Sequence, residues 1–222
     1  LLVAANFDNI IIIDDLQEIE MPNWCNNSLT LIAATKEDAD NLYAHLNHIT
    51  KPNDSNSDAS FFGFFLPEPD YEDGDEEDAM PGWYWWRVNN WGTKWDASIH
   101  DVDWVDDKTV NIMFDTAWSP PTGIFQAMMD QGWGVDARYY EPGMCFTGSW
   151  IDGDEEYYEY AHCEKPEEIR ELVGEDLDDW FGISEWLETM LEEESETESS
   201  DGFDESDSHS GVEDFRKGNL AF

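Results

Sequence analysis

The chain has 222 residues, 53 of them acidic and 10 basic, for a formal net charge of −43. That length holds one domain and a tail, and an aromatic content of 14% is enough for a core of ordinary size. A phosphate-binding surface is built from Lys and Arg, so this balance argues against direct nucleic-acid binding and against an anionic membrane. It points to cations or basic proteins as partners.

The charge is not confined to one end. Residues 21–163 carry 27 acidic and 6 basic side chains, and residues 164–222 carry 21 and 4. Residues 1–20 hold an apolar run, Ile10 to Ile13, between Asp8 and Asp14. It is too short and too acidic for a secretory signal or a membrane span. Met21 opens a motif that reads as a natural start, so residues 1–20 are expected to be an N-terminal extension outside the domain.

Asn27 to Ala33 alternates, with Leu29 and Leu31 on one face, and predicts a first strand. Thr35 with Asp38 makes a capping pair. Ala39, Leu42, Tyr43, Leu46 and Ile49 then follow at helical spacing, giving a helix over 35–49. Lys51 to Ser60 reads as a polar loop. Phe61 to Leu66 reads as a short aromatic strand or extended segment stopped by Pro67 and Pro69, and Asp70 to Met80 as an acidic loop.

The next stretch holds five tryptophans, Trp83, Trp85, Trp86, Trp91 and Trp95, with Arg87, Lys94 and Asp96 among them. Such density means a packed cluster or a stacking surface. Ile99 to Val105 and Thr109 to Asp115 read as a hairpin. Ser119 and Pro120 predict a helix start, giving a helix over 119–132 that Gly132 ends. Val135 to Tyr140 alternates as a strand, and a last hairpin turns at Asp152-Gly153. Strands linked by hairpins, with two helices inserted, predict an α+β fold. The expected plan is a ferredoxin-like antiparallel sheet with two helices on one face, extended by a C-terminal hairpin.

Beyond Cys163, residues 164–194 read as an acidic amphipathic helical segment, with Trp180, Phe181, Trp186, Leu187 and Met190 as a candidate partner-binding face. Gly182 interrupts this segment, and Ser184 is placed to cap its second half. Residues 195–214 are rich in Ser, Asp, Glu and Gly, the final Phe215 to Phe222 is apolar and basic, and 195–222 as a whole read as a disordered acidic tail. The three cysteines, Cys25, Cys145 and Cys163, form no CxxC pair, which fits a reducing interior, the cytoplasm.

Three strings carry a resemblance. They are Met21-Pro22-Asn23-Trp24-Cys25-Asn26-Asn27, then Asn90-Trp91-Gly92-Thr93-Lys94-Trp95-Asp96, and finally Phe114-Asp115-Thr116-Ala117-Trp118-Ser119-Pro120-Pro121 followed by Glu141-Pro142-Gly143-Met144. In this order they resemble the YubB-type ferredoxin-like domain family of phage and plasmid proteins. The resemblance implies a ferredoxin-like sheet and a mobile-element origin, hence the cytoplasm of an infected or plasmid-bearing cell. It carries no settled activity.

Catalytic motifs are missing from the sequence: there is no HExxH, GxSxG, phosphate loop or Cys/His zinc spacing. The expectation is a non-enzymatic protein without cofactor or metal. Trp24, Trp91, Trp95 and Trp118 are expected to build the core, with Asp96 and Asp115 as structural motif residues. Trp83, Trp85, Trp86, Arg87, Lys94 and Arg138 are the binding candidates. Arg87, Lys94, Arg138, Asp96, Asp115 and Glu141 either form one polar pocket or pair separately within a structural network. His100 with Asp101 and Asp103 reads as a solvated strand edge rather than a metal site, and Asp70 to Asp78 as a solvated loop rather than a calcium loop.

The leading functional reading is an interaction protein whose acidic surface imitates nucleic acid and occupies a basic, nucleic-acid-handling protein. One alternative is a salt-adapted domain that binds a ligand or peptide at the tryptophan cluster. The other is single-stranded nucleic-acid binding by exposed sheet aromatics.

Overall fold

The computed structural model describes residues 23–50, 60–70 and 82–200. The expected extension over 1–20, most of the loops over 51–60 and 70–80, and the tail from 201 onward lie outside them. In chain order the elements are β1 (Trp24–Ile32), α1 (Lys36–Ile49), α2 (Phe61–Phe65), α3 (Gly82–Asn90), β2 (Ser98–Trp104), β3 (Thr109–Ala117), α4 (Thr122–Asp130), β4 (Gly134–Glu141), β5 (Phe146–Ile151), β6 (Asp154–Glu159), α5 (Pro166–Val173), α6 (Glu175–Phe181) and α7 (Ile183–Ser200). The fold is α+β. Its six strands form one open sheet in the order β2-β3-β1-β4-β5-β6, and every neighbouring pair is antiparallel.

Alternation along β1 sets the two faces of the sheet. Cys25, Asn27, Leu29 and Leu31 are buried, while Asn26, Ser28 and Thr30 point the other way. Leu29 and Leu31 join Val110, Ile112 and Phe114 of β3 and Val135 and Ala137 of β4 in the main core. Ala39, Leu42 and Leu46 of α1 and Ile124, Phe125 and Met128 of α4 belong to that same cluster. Thr35 caps α1 as its sequence predicts: the hydroxyl accepts from the Asp38 N–H while the Asp38 carboxylate accepts from the Thr35 N–H.

Four expectations are corrected. Phe61 to Leu66 is not a strand but the short helix α2. The Ser60 hydroxyl caps it by accepting from the Gly63 N–H at 2.8 Å, and the Asp96 carboxylate accepts from the N–H groups of Phe61 and Phe62, each at 2.9 Å. With its first amides satisfied, the segment buries Phe61, Phe62 and Phe65 on one helical side.

The second long helix is shorter than 119–132. Pro120 precedes Pro121, and a residue before proline is pushed out of the helical region, so α4 starts at Thr122 with Pro121 as its N-cap. Ser119 is no cap; its hydroxyl donates to the Gly92 carbonyl at 2.6 Å. Nor does Ser184 cap α7: the Asp178 carboxylate accepts from the Ser184 N–H at 2.7 Å and from its hydroxyl at 2.6 Å. Finally, α7 continues to Ser200, past the expected boundary at 194, through a run of glutamates that favours helix.

The C-terminal helices pack on the sheet. Arg138 and Tyr140 project from the face of β4 opposite to Ala137 and Tyr139, and both meet α6. Phe181 stacks on Tyr140 at 5.3 Å between ring centroids. Tyr140, Tyr160 and Cys163 form a second cluster with Ile169 and Val173 of α5, Leu177 of α6, and Ile183 and Leu187 of α7.

Candidate functional site

The tryptophan motif folds as helix α3 and the loop after it. A period of 3.6 residues explains why its aromatics fit no two-fold alternation. Trp83, Trp86 and Arg87 fall at i, i+3 and i+4, and the chain then delivers Trp91. The Trp91 indole N–H donates to the Leu66 carbonyl at 3.0 Å, and Trp91 packs edge-on against Phe62 and Trp86. Trp85 lies on the other side of the helix and is exposed.

Of the four expected core tryptophans, only Trp91 is fully buried; Trp95 and Trp118 are half-buried and Trp24 is exposed. The reason is position. Trp24 starts β1 and Trp118 follows β3, so both sit at one end of the sheet, where Trp24 pairs with Ala117 and the Trp118 N–H donates to Asn23. Trp24 and Trp95 lean together there at 6.1 Å.

The six charged residues, read from the sequence either as one polar pocket or as separate pairs, are each held in a separate local contact. Arg87 pairs with Glu68 at 2.5 Å and lies over the Trp83 and Trp91 rings at 5.1 and 4.8 Å. Lys94 rests on Trp95 at 4.3 Å and Trp118 at 5.6 Å. Arg138 pairs with Asp136 at 2.7 Å and lies over Trp180 at 5.1 Å. Asp96 holds the start of α2. Asp115 accepts from the Asn26 amide at 2.7 Å and pairs with His100 at 2.7 Å. His100 nevertheless stays exposed on β2, the edge strand, beside the exposed Asp101 and Asp103, the solvated strand edge its sequence predicts.

Glu141 is buried, and its carboxylate accepts from the Gly143 N–H at 3.1 Å and from the Met144 N–H. Burial raises its pKa above the ordinary carboxylate value, and the two N–H donors oppose that rise. Among the described residues no group of His, Cys, Asp or Glu is arranged to hold a metal ion.

A common physical theme links the three cations of the binding candidates. Arg87, Lys94 and Arg138 each sit on an indole face, a contact in which the ring quadrupole attracts the charge. Glu68, the partner of Arg87, carries no signal in the sequence, because only the tertiary fold brings residue 68 to residue 87.

The acidic surface is uneven. From Asp152 to Glu193 the chain carries 17 acidic side chains against Lys165 and Arg170. Asp178 alone among these acids is buried, where it pairs with Arg170 at 3.0 Å. The others are exposed along β6 and helices α5 to α7. Trp180 and Trp186 are exposed on the same helical unit, with Met190 half-buried and Leu187 buried. Nothing matches this chain in comparisons with protein-family models, curated proteins or solved structures. No helix among the described residues is long and apolar enough to cross a membrane.

Proposed function

We propose that this chain is a non-enzymatic interaction protein of a phage or other mobile element, and that its carboxylate surface imitates nucleic acid to occupy a basic protein of the infected or plasmid-bearing cell. The observation that carries this reading is the concentration of exposed acids on β6 and α5 to α7. Adaptation to high salt calls for an even spread of charge, whereas imitation of a phosphate backbone calls for a dense field on one part of the surface. The order β2-β3-β1-β4, with α1, α2 and α3 between β1 and β2 and α4 between β3 and β4, supports a ferredoxin-like origin of the sheet, with β5 and β6 as its extension.

The reading is tested with the full chain and a panel of purified DNA- and RNA-handling proteins. At low ionic strength one of them is retained, duplex or single-stranded nucleic acid competes it off, and retention falls as salt rises, because exposed charges are screened beyond about 8 Å at physiological ionic strength. If no such protein is retained and molar salt strongly raises the thermal midpoint of the chain, salt adaptation replaces mimicry.

A further inference from the structure

A shallow, solvent-open cavity of about 300 Å³ is lined by Arg138 of β4 and by Asp176, Asp179 and Trp180 of α6. Asp176 and Trp180 are one helical turn apart on α6, so they neighbour each other on its surface, and Asp179 precedes the indole. Arg138 has its charge matched by Asp136 and its guanidinium set against the Trp180 ring. Neither Asp176 nor Asp179 belongs to an ion pair among the described residues. Trp180 itself is 53% exposed, although Arg138 already shields part of it.

We infer that this cavity receives a guanidinium or ammonium side chain of the basic partner. The incoming cation stacks on the exposed part of the Trp180 indole and is paired by the Asp176 and Asp179 carboxylates. Charge complementarity selects this occupant. With Arg138 paired to Asp136, the two remaining aspartates leave the cavity negative, and the indole in its lining favours a cation over an anion. An anionic ligand would meet both carboxylates. The inference rests on the proposed reading and adds to it one anchoring point within an otherwise diffuse acidic field.

The experiment uses the full chain and an oligo-arginine peptide as the probe. Affinity is read by anisotropy of the labelled peptide, and the indole N–H resonance of Trp180 is identified by its loss in Trp180→Phe. Binding should shift that resonance. Trp180→Ala and the pair Asp176→Asn with Asp179→Asn should each weaken binding roughly fivefold or more, and Trp180→Phe should recover part of the loss. The pair Glu167→Gln with Glu171→Gln removes the same charge from α5 and should have a clearly smaller effect than the aspartate pair. Equal losses from the two charge-matched pairs, with a stationary Trp180 resonance, would overturn the anchor and leave mimicry by diffuse charge standing. Failure of the native chain to bind the peptide at low salt would overturn both.

Discussion

The carboxylate of Asp96 accepts the backbone N–H of Phe61 at 2.9 Å, across 35 residues of chain. The loop after the tryptophan helix thereby fixes where the aromatic helix α2 begins. The second oxygen takes the N–H of Phe62 at 2.9 Å and also that of Ala97 at 2.9 Å, so one side chain satisfies three amides. Loss of a helix cap costs about 0.5–2 kcal/mol. Asp96→Ala is expected to reach or exceed the upper end of that range, and Ser60→Ala to stay near the middle. Urea unfolding of the two variants checks this; equal and small effects would mean that α2 does not depend on Asp96.

The tryptophans of the motif are predicted to differ in their contribution to stability. Trp91→Ala removes a fully buried ring and its hydrogen bond to Leu66, and large-to-small changes of this kind cost about 3–5 kcal/mol. Trp95 is half-buried and packs against Trp24 and Lys94, so Trp95→Ala should cost clearly less. The sequence alone predicts equal roles for both. Denaturation midpoints that coincide for the two variants would restore that reading.

The contrast shows which parts of the fold can be read from the chain. β1, the capped helix α1 and the two hairpins announce themselves through alternation, a capping box and turn residues, all of which act within a few positions. Helix α2 does not, because Phe61-Phe62-Gly63-Phe64-Phe65 has no polar phase to reveal a period, and its N-terminal partner lies at Asp96. Helix α3 is hidden because four consecutive aromatic residues look like neither pattern. The cations are visible as candidates, but their seats on Trp83, Trp91, Trp95, Trp118 and Trp180 are tertiary contacts. So too is the selection of Asp178 for burial, since Asp176 and Asp179 beside it are the same residue type in the same helix.

Gly123 sets how closely α4 approaches the end of α3. A Cβ at this position would fall 1.9 Å from the Asn90 carbonyl oxygen, a backbone atom that cannot rotate away. Gly123→Ala must therefore push α4 off the tryptophan helix and loosen the packing around Trp91. The expected result is a loss of stability of about 1–3 kcal/mol, in the range of overpacked cores, with a red-shifted tryptophan emission. An alanine variant with native stability would mean that the two helices are not in such close contact.

Glu141 gives a prediction with a defined sign. Burial holds its folded-state pKa above the ordinary value of 4.5, so between those two values the folded chain binds more protons than the unfolded chain. Stability from this group is therefore fully present at and below the ordinary carboxylate range and is lost as pH rises through the folded pKa. The many exposed carboxylates also titrate, but they are common to the native chain and to Glu141→Gln. The difference in unfolding free energy between the two isolates residue 141. That difference should move against the native chain as pH rises from about 4.5 and then level off once the buried carboxylate is ionised. Chemical denaturation of both proteins across this range measures it. A difference that stays constant with pH would show that the two N–H donors of Gly143 and Met144 balance the burial, and one that moves in favour of the native chain as pH rises would show that they outweigh it.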